Sequence, residues 1–147
     1  MGLAIFKDHE LLEWKVKTVN GKWNDRKLTK VLHYVSKIIG HYRSDTMVVK
    51  ILHNSRSSHG LNALVHSLQL LAKQRSLAFY TCTINDLKDL YEDYNVRNKQ
   101  ELMHAVVLRH PELMFARDKE LKNRNRYYTK MFEAVACAHS CLKKQSR

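Results

Sequence analysis

The chain has 147 residues, of which 26 are Lys or Arg and 14 are Asp or Glu, giving a net charge of +12 with histidine neutral. With 44% hydrophobic and 27% charged residues it can close a core, which excludes a disordered basic tail, and its length suits a single domain over 1–147. No apolar run reaches the roughly 20 residues that cross a bilayer, and residues 1–7 have no signal-peptide character.

Four glycines and one proline are too few to punctuate an all-β chain, which needs a turn about every 8–12 residues. The expectation is an all-α fold, a compact bundle of about seven helices. Asp8 caps a first helix through Trp14 that ends at Asn20 and Gly21. The alternation from Trp14 to Trp23 around Asn-Gly also fits a hairpin, but its second arm would be only Lys22 and Trp23, so the helix is preferred. Asn24 or Asp25 opens a second helix to Gly40, with Leu28, Val31, Leu32, Val35 and Ile38 on one face. Asp45 opens a third through Leu52, ending in the polar run 54–58. The fourth spans 58–75, with Leu61, Leu64, Val65, Leu68 and Leu71 on its face.

Ser76 caps a fifth helix to Tyr94, along which Leu77, Tyr80, Ile84, Leu87, Tyr91 and Tyr94 step by 3, 4, 3, 4 and 3. Asn98, with Glu101 three residues on, opens a sixth to Arg109 as a relative of the capping box. Pro111 takes the first position of the next element, and 118–143 reads as one long helix with a short basic tail at 143–147.

The second and fourth helices align at an offset of 33, pairing Leu28 with Leu61, Val31 with Leu64, Leu32 with Val65, Val35 with Leu68 and Ile38 with Leu71. The segment from Leu61-Asn62-Ala63-Leu64-Val65-His66-Ser67-Leu68, through the link Lys73-Gln74-Arg75-Ser76, to Leu87-Lys88-Asp89-Leu90-Tyr91 resembles a tetratricopeptide or pentatricopeptide helical hairpin over residues 61–94. That resemblance implies solenoid-like helical repeats and a protein-binding role. The stretch 84–108 also resembles the helical part of messenger-export scaffold proteins, through the same Leu87 to Tyr91 run with Glu101 and Leu102.

Charge placement carries the partner reading. Lys119, Lys122, Arg126 and Lys130 form one stripe on the expected last helix, opposite Leu121, Tyr128, Phe132 and Val135. Arg117, Arg124, Lys143, Lys144 and Arg147 widen it, and Tyr127 stands beside it to stack on a base or sugar. A second cluster, Lys15, Lys17, Lys22, Arg26, Lys27 and Lys30, surrounds Trp14 and Trp23. Cations spaced along a surface are what phosphate binding needs, and few acids lie near the stripe to neutralise it. The acids gather instead at Asp86, Asp89, Glu92 and Asp93.

No chemical motif stands beside these clusters. Cys137 and Cys141 share a helical side from which His139 points away, so buried thiols are expected rather than zinc. His53 with His59, and His104 with His110, lack zinc-motif spacing, while His33, His66 and His104 neighbour core positions. Ser57, Ser58 and His59 lack a Gly-flanked nucleophile elbow, and no phosphate loop is present. Asp86, Asp89 and Asp93 read as an exposed acidic face rather than a magnesium site.

The sequence therefore points to a non-enzymatic, basic, helical RNA-binding subunit of a ribonucleoprotein, with no cofactor and no metal. The partners are RNA or another polyanion, with further proteins in a larger assembly. A helical protein-interaction scaffold is the alternative. A matrix-type protein on an acidic membrane is disfavoured, because Phe6 stands where Ser or Thr completes a myristoylation signal begun by Gly2. Three cysteines, Cys82, Cys137 and Cys141, fit a reducing intracellular compartment, whether nuclear, organellar or virion-associated.

Overall fold

Strands, not a helix, occupy the first sixteen residues of the computed structural model, which describes residues 1–52 and 58–145. β1 (Gly2–Lys7) and β2 (Glu10–Val16) pair antiparallel, Gly2 opposite Val16 and Lys7 opposite Glu10. A two-residue turn joins them, and Asp8 enters it at φ 56°, a left-handed conformation that Asp tolerates better than most residues. The hairpin turn thus falls at Asp8 and His9. Asn20 and Gly21 lie beyond it, so both the first helix and the Asn-Gly turn considered as its alternative are corrected.

The chain forms two compact units: residues 1–18 with 84–147, and residues 19–83. In the second unit, α1 (Asp25–Tyr42) begins where the Asn24 side chain accepts from the Lys27 N–H at 2.9 Å. It runs past Gly40 and stops at Arg43, left-handed at φ 50°. The expected third helix is instead strand β3 (Thr46–Lys50), followed by α2 (His59–Gln74) and strand β4 (Ala78–Cys82). β3 and β4 are parallel, Thr46 opposite Ala78 and Lys50 opposite Cys82, with α2 as the crossover. Thr46, Val48 and Val49 are β-branched, and pairing with a strand about thirty residues away outweighs the helix-start signal of Asp45.

α2 starts beside Ser58, close to the expected boundary, and the Ser58 hydroxyl caps it by accepting from the Leu61 N–H at 3.2 Å. The rest of the polar run, 54–57, lies outside the described residues. Ser76 reverses its expected role. It sits left-handed at φ 59°, and the Leu77 N–H reaches back to the Ala72 carbonyl at 2.8 Å, so it ends α2 instead of opening a fifth helix. The offset of 33 therefore aligns two helices that are each followed by a strand. This is an α/β pattern, and it overturns both the helical-hairpin resemblance and the all-α class.

In the first unit, α3 (Ile84–Leu90) is short and α4 (Lys99–Arg109) carries the expected cap, with Asn98 accepting from the Glu101 N–H at 2.9 Å. Glu101 reaches back to the Arg97 N–H at 2.6 Å, completing a close relative of the capping box. Pro111 opens a 3-10 turn before α5 (Met114–Lys122), and α6 (Thr129–Gln145) follows a break, so the long helix over 118–143 is two helices. α6 packs against β1, β2, α3 and α4. Phe132, Val135 and Ala136 are fully buried there, with Tyr91 of the same unit. Gly2 makes this packing possible, because a Cβ on it would stand 2.2 Å from the Lys130 carbonyl carbon and oxygen. This is the physical role of the glycine considered for lipidation. No helix among the described residues is long and apolar enough to cross a membrane.

Candidate nucleic-acid interface

The basic carboxyl-terminal segment breaks between α5 and α6. Asn123 turns extended (φ −74°, ψ 138°), and residues 123–127 are exposed with Tyr128 half-buried. The path of this link is set by Glu120, a buried residue in the last turn of α5. Its carboxylate accepts from the Tyr127 N–H (2.9 and 3.1 Å), the Thr129 N–H (2.5 Å), the Thr129 hydroxyl (2.8 Å) and the Asn123 amide (3.3 Å). A negative group at the start of α6 meets both its orphan N–H donors and the positive end of its dipole. Burial would raise the Glu120 pKa, but the hydrogen bonds from Tyr127, Thr129 and Asn123 outweigh it and hold the carboxyl below its usual range.

With its acceptors turned to the backbone, Thr129 and Asn123, Glu120 makes no ion pair with the neighbouring cations. Lys122, Arg124 and Arg126 are exposed and, among the described residues, none pairs with a carboxylate. Lys119 lies 4.6 Å from the Phe115 ring centroid, and Lys130 lies 3.6 Å from Glu133 in α6. Tyr127 is 48% exposed and perpendicular to Tyr128, their centroids 4.8 Å apart. The expected single helical stripe is therefore spread over the end of α5, the link and the start of α6. Leu121, assigned to its buried side, is exposed.

The amino-terminal cluster is divided. Lys15 and Lys17 belong to the first unit, and Lys22, Arg26, Lys27 and Lys30 to the second. Trp14 and Trp23 are divided likewise, so they are not the shared centre of one patch within a unit. Lys15 pairs with Glu13 at 3.0 Å. Lys27 donates to the Gly21 carbonyl at 3.1 Å and lies 5.6 Å from the Trp23 centroid, while Lys22, Arg26 and Lys30 are exposed.

A constellation missed in the sequence reading lies beside the β1–β2 turn. A cleft of about 570 Å³ there is lined in part by Lys7, His9, Arg109, His110 and Glu112. His110 and His139 stack with centroids 4.6 Å apart and Nε2 atoms 2.6 Å apart, so one nitrogen donates and the other accepts. His139 Nδ1 is 3.4 Å from the Tyr91 hydroxyl, and His110 Nδ1 is 3.4 Å from Glu112. Burial first, then the charges of His110, Arg109 and His9, lowers the His139 pKa to about 4. Burial also pushes the Tyr91 hydroxyl up, so it stays protonated. The 29-residue separation of the two histidines left no local spacing signal.

The remaining candidates have structural surroundings. Cys137 and Cys141 are buried on α6, as expected, and His139 turns toward His110 instead. His33 and His66 are exposed, against expectation, and His104 lies 3.3 Å from Arg117. Asp86 pairs with Lys144 at 2.8 Å, while Asp89 and Asp93 are exposed. His53 and Ser57 lie outside the described residues. Among the described residues no group of three or more His, Cys, Asp or Glu side chains could hold a metal ion.

The mixed α/β architecture is similar to that of solved structures of RuvC. Matching structures include RuvC from Thermus thermophilus, in one case in complex with Holliday junction substrate. That structure is 13% identical, covers 99% of this chain and 87% of its own, and has a TM-score of 0.67. A second structure of RuvC from the same organism is also 13% identical and covers 99% of this chain and 86% of its own at a TM-score of 0.67. No family model matches the chain, and no curated protein matches its sequence. At this identity the likeness establishes the fold. It overturns the repeat resemblance, and with it the reading as a non-enzymatic RNA-binding subunit, because that reading rests on analogy with small all-helical basic subunits and this fold is α/β. A polyanion partner remains consistent with it.

Proposed function

We propose that this chain is a nucleic-acid-binding protein of the RuvC-like nuclease class, with branched DNA as its ligand. The observation that carries the reading is a RuvC-like fold over 99% of a chain whose net charge is +12. Spaced cations bind a phosphate backbone by releasing its condensed counterions. In the first unit these are Lys15, Lys17, Lys119, Lys122, Arg124, Arg126 and Lys130, with Tyr127 available for stacking. In the second they are Lys22, Arg26, Lys27 and Lys30. No residue is assigned to a chemical step.

The test is a salt titration of the full chain against a four-way DNA junction, the equivalent duplex, single-stranded DNA and structured RNA. Strand cleavage is followed with and without magnesium. The expected result is a steep logarithmic salt dependence and at least roughly tenfold tighter binding to the junction than to the duplex. Equal affinity for junction and duplex, or tighter binding to RNA, would overturn branched DNA as the ligand.

A further inference from the structure

The link between α5 and α6 has a feature that charge alone does not require, a buried carboxylate spent on shaping an exposed cationic segment. Flexible basic loops are common on positively charged proteins and lose conformational entropy when they bind. Here Glu120 ties the Tyr127 and Thr129 N–H groups, the Thr129 hydroxyl and the Asn123 amide to one point. The ties fall on both sides of Arg124 and Arg126, and the tied Tyr127 itself is 48% exposed. Two guanidinium groups and a phenol ring are thus presented on a backbone restrained at both ends. A planar guanidinium matches a phosphate oxygen pair, and an exposed aromatic ring accepts a sugar or base face.

We propose that segment 124–127 is a preorganised docking element for the sugar-phosphate backbone of nucleic acid, and that Glu120 is its positioning residue. This rests on the nucleic-acid reading above and goes beyond it, because it separates the groups that touch the backbone from the group that holds them. The two roles leave different signatures. Removing Arg124 and Arg126 removes phosphate contacts, and with them released counterions. Releasing the Glu120 ties leaves the contacts available but requires the segment to be ordered on binding.

The experiment compares the intact chain with Arg124→Gln/Arg126→Gln, Tyr127→Ala and Glu120→Gln, each titrated against the four-way junction and a duplex over graded salt. The exposed Arg124→Gln/Arg126→Gln variant is expected to keep its circular dichroism and to flatten the logarithmic salt slope by about two. Glu120→Gln turns an amide donor toward backbone donors. It is expected to weaken binding by roughly tenfold at an unchanged salt slope, and to speed trypsin cleavage after Arg124 and Arg126. Bound DNA is expected to protect the same two sites in the intact chain.

Glu120→Asp shortens the side chain while keeping the charge. It serves as the second variant if Glu120→Gln does not fold, with a smaller affinity loss at the same slope. If the intact chain binds no nucleic acid, the functional reading itself fails. If it binds and Arg124→Gln/Arg126→Gln leaves the slope unchanged, the docking assignment is overturned. If trypsin cleaves both sites equally fast in the intact chain and in the folded Glu120 variant, the positioning role is overturned.

Discussion

The two compact units solve the burial problem to different depths. In the first, α6 is covered by β1, β2, α3 and α4, and the largest fully buried side chains are Tyr91, Phe132, Leu87, Leu113, Met131, Val106 and Val135. All of these belong to that unit. In the second, two helices and a two-stranded parallel sheet bury Val31, Ile39, Leu68, Ala72 and Cys82 most deeply, while Leu61, Leu70 and Tyr80 are at least 40% exposed. The difference follows from geometry. Gly2, opposite the start of α6, lets the β1 backbone approach that helix closely, and Ala136 is fully buried on it. Two five-residue strands offer less surface to cover.

The sharpest test of this contrast is a pair of core truncations read by single tryptophans. With Trp14 kept for the first unit and Trp23 for the second, Phe132→Ala is expected to cost about 3–5 kcal/mol in urea unfolding seen by Trp14. Leu68→Ala, seen by Trp23, is expected at about 2 kcal/mol, the low end for such a truncation. Equal costs would break the comparison.

Acid adds a second test, confined to the first unit. His139 titrates near 4 when folded and near 6.5 when unfolded, so between these values the unfolded chain holds the extra proton. The contribution is complete above pH 6.5 and is lost as the pH falls toward 4, a change on the order of 3 kcal/mol. Trp14 is expected to report this loss, and His139→Asn to flatten it. A slope that survives the substitution would remove His139 as its source.

Smaller effects sharpen the same line. Gly2→Ala sets a methyl against the Lys130 backbone and is expected to cost about 1–3 kcal/mol, again seen by Trp14. The helix caps should ignore the difference between units. Asn98→Ala in the first and Ser58→Ala in the second are each expected to cost about 1 kcal/mol, because a cap bond is local. A cap worth several times more in one unit would mean that tertiary packing had entered what looks like local chemistry.

That distinction also separates what could be read early from what could not. Asn24, Ser58 and Asn98 were legible as helix starts because each side chain reaches an N–H only three residues on, so sequence spacing alone determines the bond. The net charge likewise follows from composition alone. β3 and β4 were misread because short apolar runs fit either period, and only a partner strand about thirty residues away decides for the strand. Ser76 was misread because the same residue type serves at a helix start and, left-handed, at a helix end. Glu120 meets Thr129 across a break in the chain, and His110 meets His139 across 29 residues. Composition and local spacing determined the caps, the charge and much of the helical content. Tertiary structure decided the strands, the division into units and the shape of the basic link, because each depends on groups brought together only when the chain folds.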